Sequence, residues 1–154
     1  MEKKIFDKLG VLISTSGTVY NVDTIKEFID YVAKIGYNTF YLEITAGYEI
    51  EDEPFFAYMR GKYNKAELKE IDAYAKERGV TVIPTIQTLA HLGFMFRWPK
   101  FFDYRDIDEI MMVGDPRVYE LVEKMIKLMA ECFSAKIIQF FSKNGLTFVN
   151  SMIY

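Results

Sequence analysis

Val80-Thr81-Val82-Ile83-Pro84-Thr85-Ile86 is the stretch whose reading decides the fold. It is a nearly continuous run of apolar and β-branched residues, entered directly from Gly79. A strand with one wet face alternates polar and apolar residues. A strand covered on both faces does not, and such strands are typical of parallel α/β sheets. The run therefore predicts a buried parallel strand with helices in the connections around it.

Working upstream, Asn64 and Glu67 have capping-box spacing, with Asn in place of the usual Ser or Thr. They open a helix that Gly79 ends, and Leu68, Ile71, Tyr74 and Ala75 line its inner face. Before it, Thr39 to Ile44 reads as a β-branched and aromatic strand. An earlier helix has Asn21 as N-cap and Asp23 in its first turn, where negative charge suits the helix dipole. Val22, Ile25, Ile29, Val32 and Ala33 form its stripe, and Gly36 stands where a left-handed cap is wanted. Val11 to Ile13 supplies a first short strand.

Downstream, a long connection from Gln87 to Gly114 leads to Asp115 as N-cap and Pro116 as first helical residue. Val118, Leu121, Val122, Met125, Met129 and Cys132 form the stripe of that helix, and Ile137 to Phe141 reads as a fourth strand. Strand-helix three times, then a strand, is the order of an α/β parallel sheet with right-handed crossovers. Lys143-Asn144-Gly145 then turns into Leu146 to Val149, which predicts a hairpin instead of another crossover.

Composition narrows the function. Of 154 residues, 51% are apolar and 27% charged, an ordinary globular balance for one domain with a real core. A net charge of -3 offers no basic field for a phosphate backbone, so no nucleic-acid partner is expected. Cys132 is the only cysteine and His91 the only histidine, which excludes an intramolecular disulfide, a cysteine cluster and a two-histidine metal site. No apolar run approaches membrane-spanning length and no secretory pattern follows Met1, so a cytoplasmic address is expected. The 13 Phe, 11 Tyr and one Trp supply rings that fill cores or form the flat walls on which sugars stack.

In parallel α/β folds the loops leaving the C-terminal ends of the strands build the site. The first such loop, Ser14-Thr15-Ser16-Gly17-Thr18, could wrap a phosphate in the manner of a flavodoxin. Val19 and Tyr20 separate it from the helix cap, where phosphate binders run straight into the helix, so an ordinary turn is favoured. The second holds Glu49, Glu51, Asp52 and Glu53, then Phe55, Phe56, Tyr58 and Arg60. It reads as a polar-ligand cleft or, preferably, as a solvated acidic turn with an aromatic plug on the rim. The third carries Gln87, His91 and Trp98. A lone histidine is commonly structural, but a place just past a strand end makes a functional role equally reasonable.

Two segments carry a resemblance. They are Tyr48-Glu49-Ile50 running into Glu53-Pro54-Phe55-Phe56-Ala57-Tyr58-Met59-Arg60-Gly61-Lys62-Tyr63, and Ile83-Pro84-Thr85-Ile86-Gln87-Thr88-Leu89-Ala90-His91-Leu92 with Arg97-Trp98-Pro99. With them, the stretch 10–132 resembles the start of the catalytic domain of glycoside hydrolase family 20, the exo-acting β-N-acetylhexosaminidases. The resemblance implies the first half of a TIM-type (β/α)8 barrel, since such barrels run to about 250 residues. It also implies substrate-assisted retaining hydrolysis, in which the 2-acetamido oxygen is the nucleophile, with no metal or other cofactor. In the family an Asp-Glu pair after strand four orients that acetamido group and protonates the leaving oxygen. His91 matches a family histidine that helps to orient the acid.

The departures are as informative. No Asp or Glu follows Glu131, and Ile137-Ile138-Gln139-Phe140-Phe141-Ser142-Lys143-Asn144-Gly145 stands where the family has its acids. The segment 135–154 reads as a divergent tail on a single partial barrel, the mark of a frameshift or premature stop. No Arg lies between Gly10 and Asn21, where the family has a sugar-gripping one, and Gln87 stands where many members have the Asp behind the histidine. The resemblance thus leaves His91, Gln87, Trp98 and Arg60 as a substrate-binding remnant with no catalytic residue. The expectation is an inactive N-terminal fragment of a β-N-acetylhexosaminidase. Its half-barrel edges, strands one and four, and its aromatic tail make it prone to self-association. A complete flavodoxin-like module binding flavin mononucleotide and a non-catalytic sugar-binding remnant are the alternatives.

Overall fold

Five strands hydrogen-bond in the order in which the chain makes them: β1 (Gly10–Ser14), β2 (Thr39–Thr45), β3 (Thr81–Gln87), β4 (Ile137–Ser142) and β5 (Gly145–Asn150). The computed structural model describes residues 6–142 and 145–150. β1 to β4 are mutually parallel, while β5 folds back antiparallel on β4. The connections are α1 (Val22–Lys34), α2 (Lys65–Glu77) and α3 (Pro116–Cys132), with 3-10 turns at Met95–Arg97 and Pro99–Tyr104 before α3. Successive helices touch, α1 to α2 and α2 to α3. Sequential strands with neighbouring helices describe an arc of a (β/α) barrel, as expected.

Local chemistry sets the helix starts. Asn21 accepts a hydrogen bond from the Thr24 N–H at 2.8 Å, and Asp115 accepts one from the Arg117 N–H at 2.9 Å. Asn64 and Glu67 form the full reciprocal capping box, satisfying two orphan donors at once. Gly36 and Gly79 take φ of +83° and +69°, left-handed values that a residue with a Cβ rarely adopts.

The helix-facing side of the sheet is apolar. Phe40, Leu42 and Ile44 of β2 and Val82 and Ile86 of β3 are fully buried against Ile25, Ile29, Ile71, Leu121 and Met125. Each such side chain contributes about 1.5–3 kcal/mol by leaving water.

Tyr74 packs against the core from α2, half-buried, while its hydroxyl donates to Asp30 at 2.9 Å. The polar Asp72 is buried on the same helix, accepting from the Ser134 N–H and hydroxyl at 3.1 and 3.2 Å. One expectation needs correction. β4 is not an open edge, because β5 pairs along it from Ile137↔Asn150 to Ser142↔Gly145. The Lys143-Asn144 part of the expected turn, the four residues from Ser151 and the opening Met1 to Ile5 lie outside the described residues. Among the described residues no helix is long and apolar enough to cross a membrane.

Candidate functional site

The sheet face turned away from the helices is polar near the C-terminal strand ends. Register alone places Ser14, Glu43, Thr85 and Gln139 in one row across β1 to β4. The Thr85 hydroxyl donates to Gln139 Oε1 at 3.2 Å. Glu43 brings a carboxylate to this concave face, and the sequence reading passed over it. It was the one acid within the second predicted strand, and alternation from Phe40, Leu42 and Ile44 would have placed it opposite the core.

β2 is irregular where this row ends. Its pairing with β3 shifts between Glu43 and Thr45, and Thr45 has φ of +54°. A β-branched residue in the left-handed region is strained by about 1–3 kcal/mol. The bulge turns the chain over the rim, where Thr45 Oγ1, the Tyr48 hydroxyl and Gln87 Oε1 are all buried with no hydrogen-bond partner among the described residues. Burial holds the Tyr48 phenol far above its ordinary pKa, so it stays a neutral donor. A buried polar atom without a partner is costly, and three gather at one end of two adjacent strands.

The sequence-predicted residues all lie in the loops of this rim, in different relations. Gln87 ends β3, buried, with its orphan amide oxygen. His91 follows at φ of +60°, its side chain half-exposed and its Nδ1 3.5 Å from Glu109 Oε2. Glu109 is a second residue that the sequence reading missed. It sits in a turn whose neighbouring backbone bonds, Leu92 N–H to Glu109 O and Met111 N–H to Leu89 O, tie both ends of the β3–α3 connection together. Gly93 allows the approach, since a Cβ there would fall 2.8 Å from Glu109 Oε1.

Arg60 crosses from the β2–α2 connection to the first loop. Its guanidinium donates to the Ser16 carbonyl at 2.7 Å and lies over the Phe94 ring at 4.9 Å from the centroid. It thereby brings a cation to the β1 loop, which has none in its own sequence. Trp98 makes an edge contact with Tyr58, with centroids 4.8 Å apart, and joins the rim from the opposite connection.

The first loop is not a phosphate cradle. Its Thr15 N–H and hydroxyl both donate to the Glu43 carbonyl, and its Ser16 N–H donates to Ser14 Oγ. Donors already engaged cannot wrap an anion. β1 also lies at the sheet edge in a sequential order, whereas a flavodoxin sheet places its first strand inside the order 2-1-3-4-5. Both facts overturn the flavodoxin-like alternative.

The second loop is neither wholly solvated nor wholly a plug. Its Glu53 is nearly buried and pairs with Lys124 at 2.9 Å, and Phe56 and Ala57 are buried while Phe55, Tyr58 and Met59 are exposed. Beside it runs a cleft of about 870 Å³ lined by Glu49, Glu53, Lys62, Lys65, Lys124 and Glu131 among others. Lys62 pairs with Glu49, Lys65 with Glu131 and Lys124 with Glu53, and the cleft touches none of Gln87, His91, Trp98 and Arg60.

The fold is an arc of a (β/α) barrel with a polar concave face at its strand ends. The chain belongs to glycosyl hydrolase family 20, whose catalytic-domain model matches residues 6–142. It is similar to the chitooligosaccharidolytic β-N-acetylglucosaminidase of Bombyx mori, with 32% identity over 87% of this chain and 26% of the relative. It is also similar to the β-hexosaminidase of Vibrio furnissii, with 24% identity over 86% of this chain and 28% of the relative. The fold matches the exo β-N-acetylglucosaminidase of Vibrio harveyi, solved in complex with N-acetylglucosamine, at a TM-score of 0.75 and 21% identity, over 86% of this chain and 26% of that one. The chain thus spans about a quarter of the length of these relatives.

Proposed function

We propose that this chain is an N-terminal portion of an exo-β-N-acetylhexosaminidase catalytic domain, able to recognise a terminal N-acetylhexosamine and unable to cleave its glycosidic bond. The observation that carries the reading is the row Ser14, Glu43, Thr85 and Gln139, together with the orphan atoms of Thr45, Tyr48 and Gln87 beside it. Hydroxyls and an acetamide suit such groups, because a sugar offers donors and acceptors in equal measure. Arg60 supplies a fixed cationic donor near the first loop, and His91, held by Glu109, supplies a second polar arm.

Cleavage needs more. Substrate-assisted hydrolysis needs one acid to steady the positive charge that develops on the acetamido group and another to protonate the leaving oxygen. Residues 132–154 contain no Asp or Glu, and β4 presents the neutral Gln139 to the concave face. Gln139 can hydrogen-bond but can neither neutralise that charge nor deliver a proton.

Calorimetric titration of the chain with N-acetylglucosamine, alongside an aryl β-N-acetylglucosaminide assay, tests both halves. Binding heat that His91→Ala diminishes, with no aryl release, is expected. Absence of heat from the unaltered chain refutes the recognition half, and turnover refutes the other.

A further inference from the structure

β1 and β5 are the two ends of the sheet, and β1 is an edge without the usual guards. Its odd-numbered residues face β2: the Leu9 carbonyl accepts from the Asn38 and Thr39 N–H groups, and the Thr15 N–H donates to the Glu43 carbonyl. By alternation the backbone N–H and C=O groups of Gly10, Leu12 and Ser14 point away from the sheet, where no strand of the described residues meets them. Natural edges are kept from pairing by charges, prolines or bulges. Residues 9–21 contain no charged residue and no proline, and β1 pairs with β2 in unbroken register.

The helix above this edge is open on the same side. Lys26 and Asp30 of α1 reach α2, where they pair with Glu70 and Arg78. The opposite flank carries Thr24, Phe28, Tyr31 and Ile35, at spacings of four, three and four residues, the seam spacing of helices that pack side by side. Tyr31 is 64% and Ile35 47% exposed, and Leu12 on the strand is 43% exposed. Beneath α1, Val11 and Ile13 are only half-buried, although their partners across the ladder, Phe40 and Leu42, are fully buried. An apolar seam of helix and strand runs along this end of the sheet.

We propose that two copies of this chain pair across the seam about a two-fold axis, β1 against β1 and α1 against α1. An antiparallel register centred on Leu12 sets Gly10 opposite Ser14 of the second copy, so the groups on each free edge meet their complements. A crossover helix lies over the groove between the strands it joins, so a strand spacing of about 4.8 Å puts the two α1 helices about 10 Å apart, within reach of normal helix packing. Charge selects the partner. Glu27 and Lys34 flank the seam, both exposed and neither in an ion pair among the described residues. They stand four residues before Tyr31 and three after it, so an antiparallel helix brings Glu27 of each copy to Lys34 of the other.

Sedimentation velocity over a dilution series of the full chain reads the assembly. The expected result is a closed two-copy species that dissociates on dilution. Glu27→Lys and Lys34→Glu each replace attractive pairs by repulsive ones on both sides of the axis, and each should weaken association roughly four- to thirtyfold. The double variant should recover the parent affinity, a rescue that a merely structural role would not give. Leu12→Cys, at the axis and about 5.5 Å from its copy between Cα atoms, is within disulfide reach. It should cross-link on mild oxidation faster than Met59→Cys, which is 82% exposed on the rim. The native Cys132 is buried. Circular dichroism verifies the fold of each variant. A monomer at every concentration overturns the proposal and leaves the seam to a different occupant. So does an open-ended series of larger species, the mark of β1 meeting β5 of the next copy. Association that both single reversals leave intact, or that the double variant does not restore, overturns it as well, as does Leu12→Cys cross-linking no faster than Met59→Cys.

Discussion

Gly61→Ala should destabilise the chain by about 1–3 kcal/mol, the usual range for forcing a methyl group into a filled space. The reason is Val19. A Cβ built on Gly61 would fall 2.9 Å from Val19 Cβ, 3.4 Å from its Cγ2 and 3.8 Å from its Cγ1. Carbon atoms prefer about 3.5–4.0 Å, so the first contact is too close by more than half an ångström. Val19 cannot swing aside, because it is stiff at χ1 and its Cγ2 is also only 2.8 Å from a Cβ built on Gly47. The atom that clashes is its Cβ, which no rotamer change moves. Urea denaturation of four proteins, the parent, Gly61→Ala, Val19→Ala and the double variant, isolates the contact. Val19→Ala removes the two γ-carbons and frees the first loop to shift, so the double variant should be more stable than the sum of the single losses implies, by about 1 kcal/mol or more. Losses that add within about 0.5 kcal/mol would falsify the clamp. The result bears on the site, since Val19 pinned between Gly47 and Gly61 fixes the first loop against the second, where Arg60 reaches Ser16.

Asp72→Ala should cost about 2–4 kcal/mol, because it removes two hydrogen bonds from Ser134 to a charged acceptor near the start of β4. Asp72→Asn keeps an acceptor and should recover part of that, and a urea midpoint unchanged in Asp72→Ala would refute the assignment. Hydrogen bonds from Tyr74 and Arg78 hold the Asp30 carboxyl below its ordinary pKa, so the folded state binds that proton less readily than the unfolded chain. Its stabilising effect is therefore complete above the ordinary aspartate pKa, about 4, and fades as pH falls through and below it. Asp30→Asn should flatten the urea midpoint between about pH 5 and 3, and an identical pH profile in both proteins would count against the triad.

Local signals were legible in the sequence and long-range polar pairings were not. Asn21, Asn64 with Glu67, and Asp115 could be read because a cap bonds to a residue two or three positions away. The parallel sheet could be read because β3 is a nearly continuous run of apolar and β-branched residues, and the hairpin because Gly145 follows Asn144. Asp72 was hidden for the opposite reason. It sits on the buried stripe of α2, and what makes it welcome there is Ser134, sixty-two residues later. Tyr74 packs against the core as its spacing predicts, but the bond of its hydroxyl to Asp30 on another helix left no mark in the sequence. His91, Gln87, Trp98 and Arg60 were named from the family resemblance, and all four stand on the rim. Composition alone carried no sign that Arg60 would reach across to the first loop, that Glu109 would meet His91, or that Thr45 would bulge.

The architecture bears on the proposal of recognition without chemistry. In a (β/α) barrel each strand hands one loop to the rim, so the functions of the rim divide along the sequence. Here three complete strand-loop-helix units are present, and they bring the orphan atoms of Thr45, Tyr48 and Gln87, the Arg60 cation, the His91–Glu109 pair and the Tyr58–Trp98 ring contact. The fourth strand end differs: β4 carries Gln139 inward and pairs with β5 beyond it. An antiparallel β5 on that edge occupies the ladder that a fifth parallel strand would need, so the barrel cannot continue from β4 in this arrangement. Restoring acids at single positions of β4 would therefore leave the site open on the side where the remaining strands should close it. A site open to water screens its charges, which weakens ionised groups there more than hydrogen bonds between neutral ones.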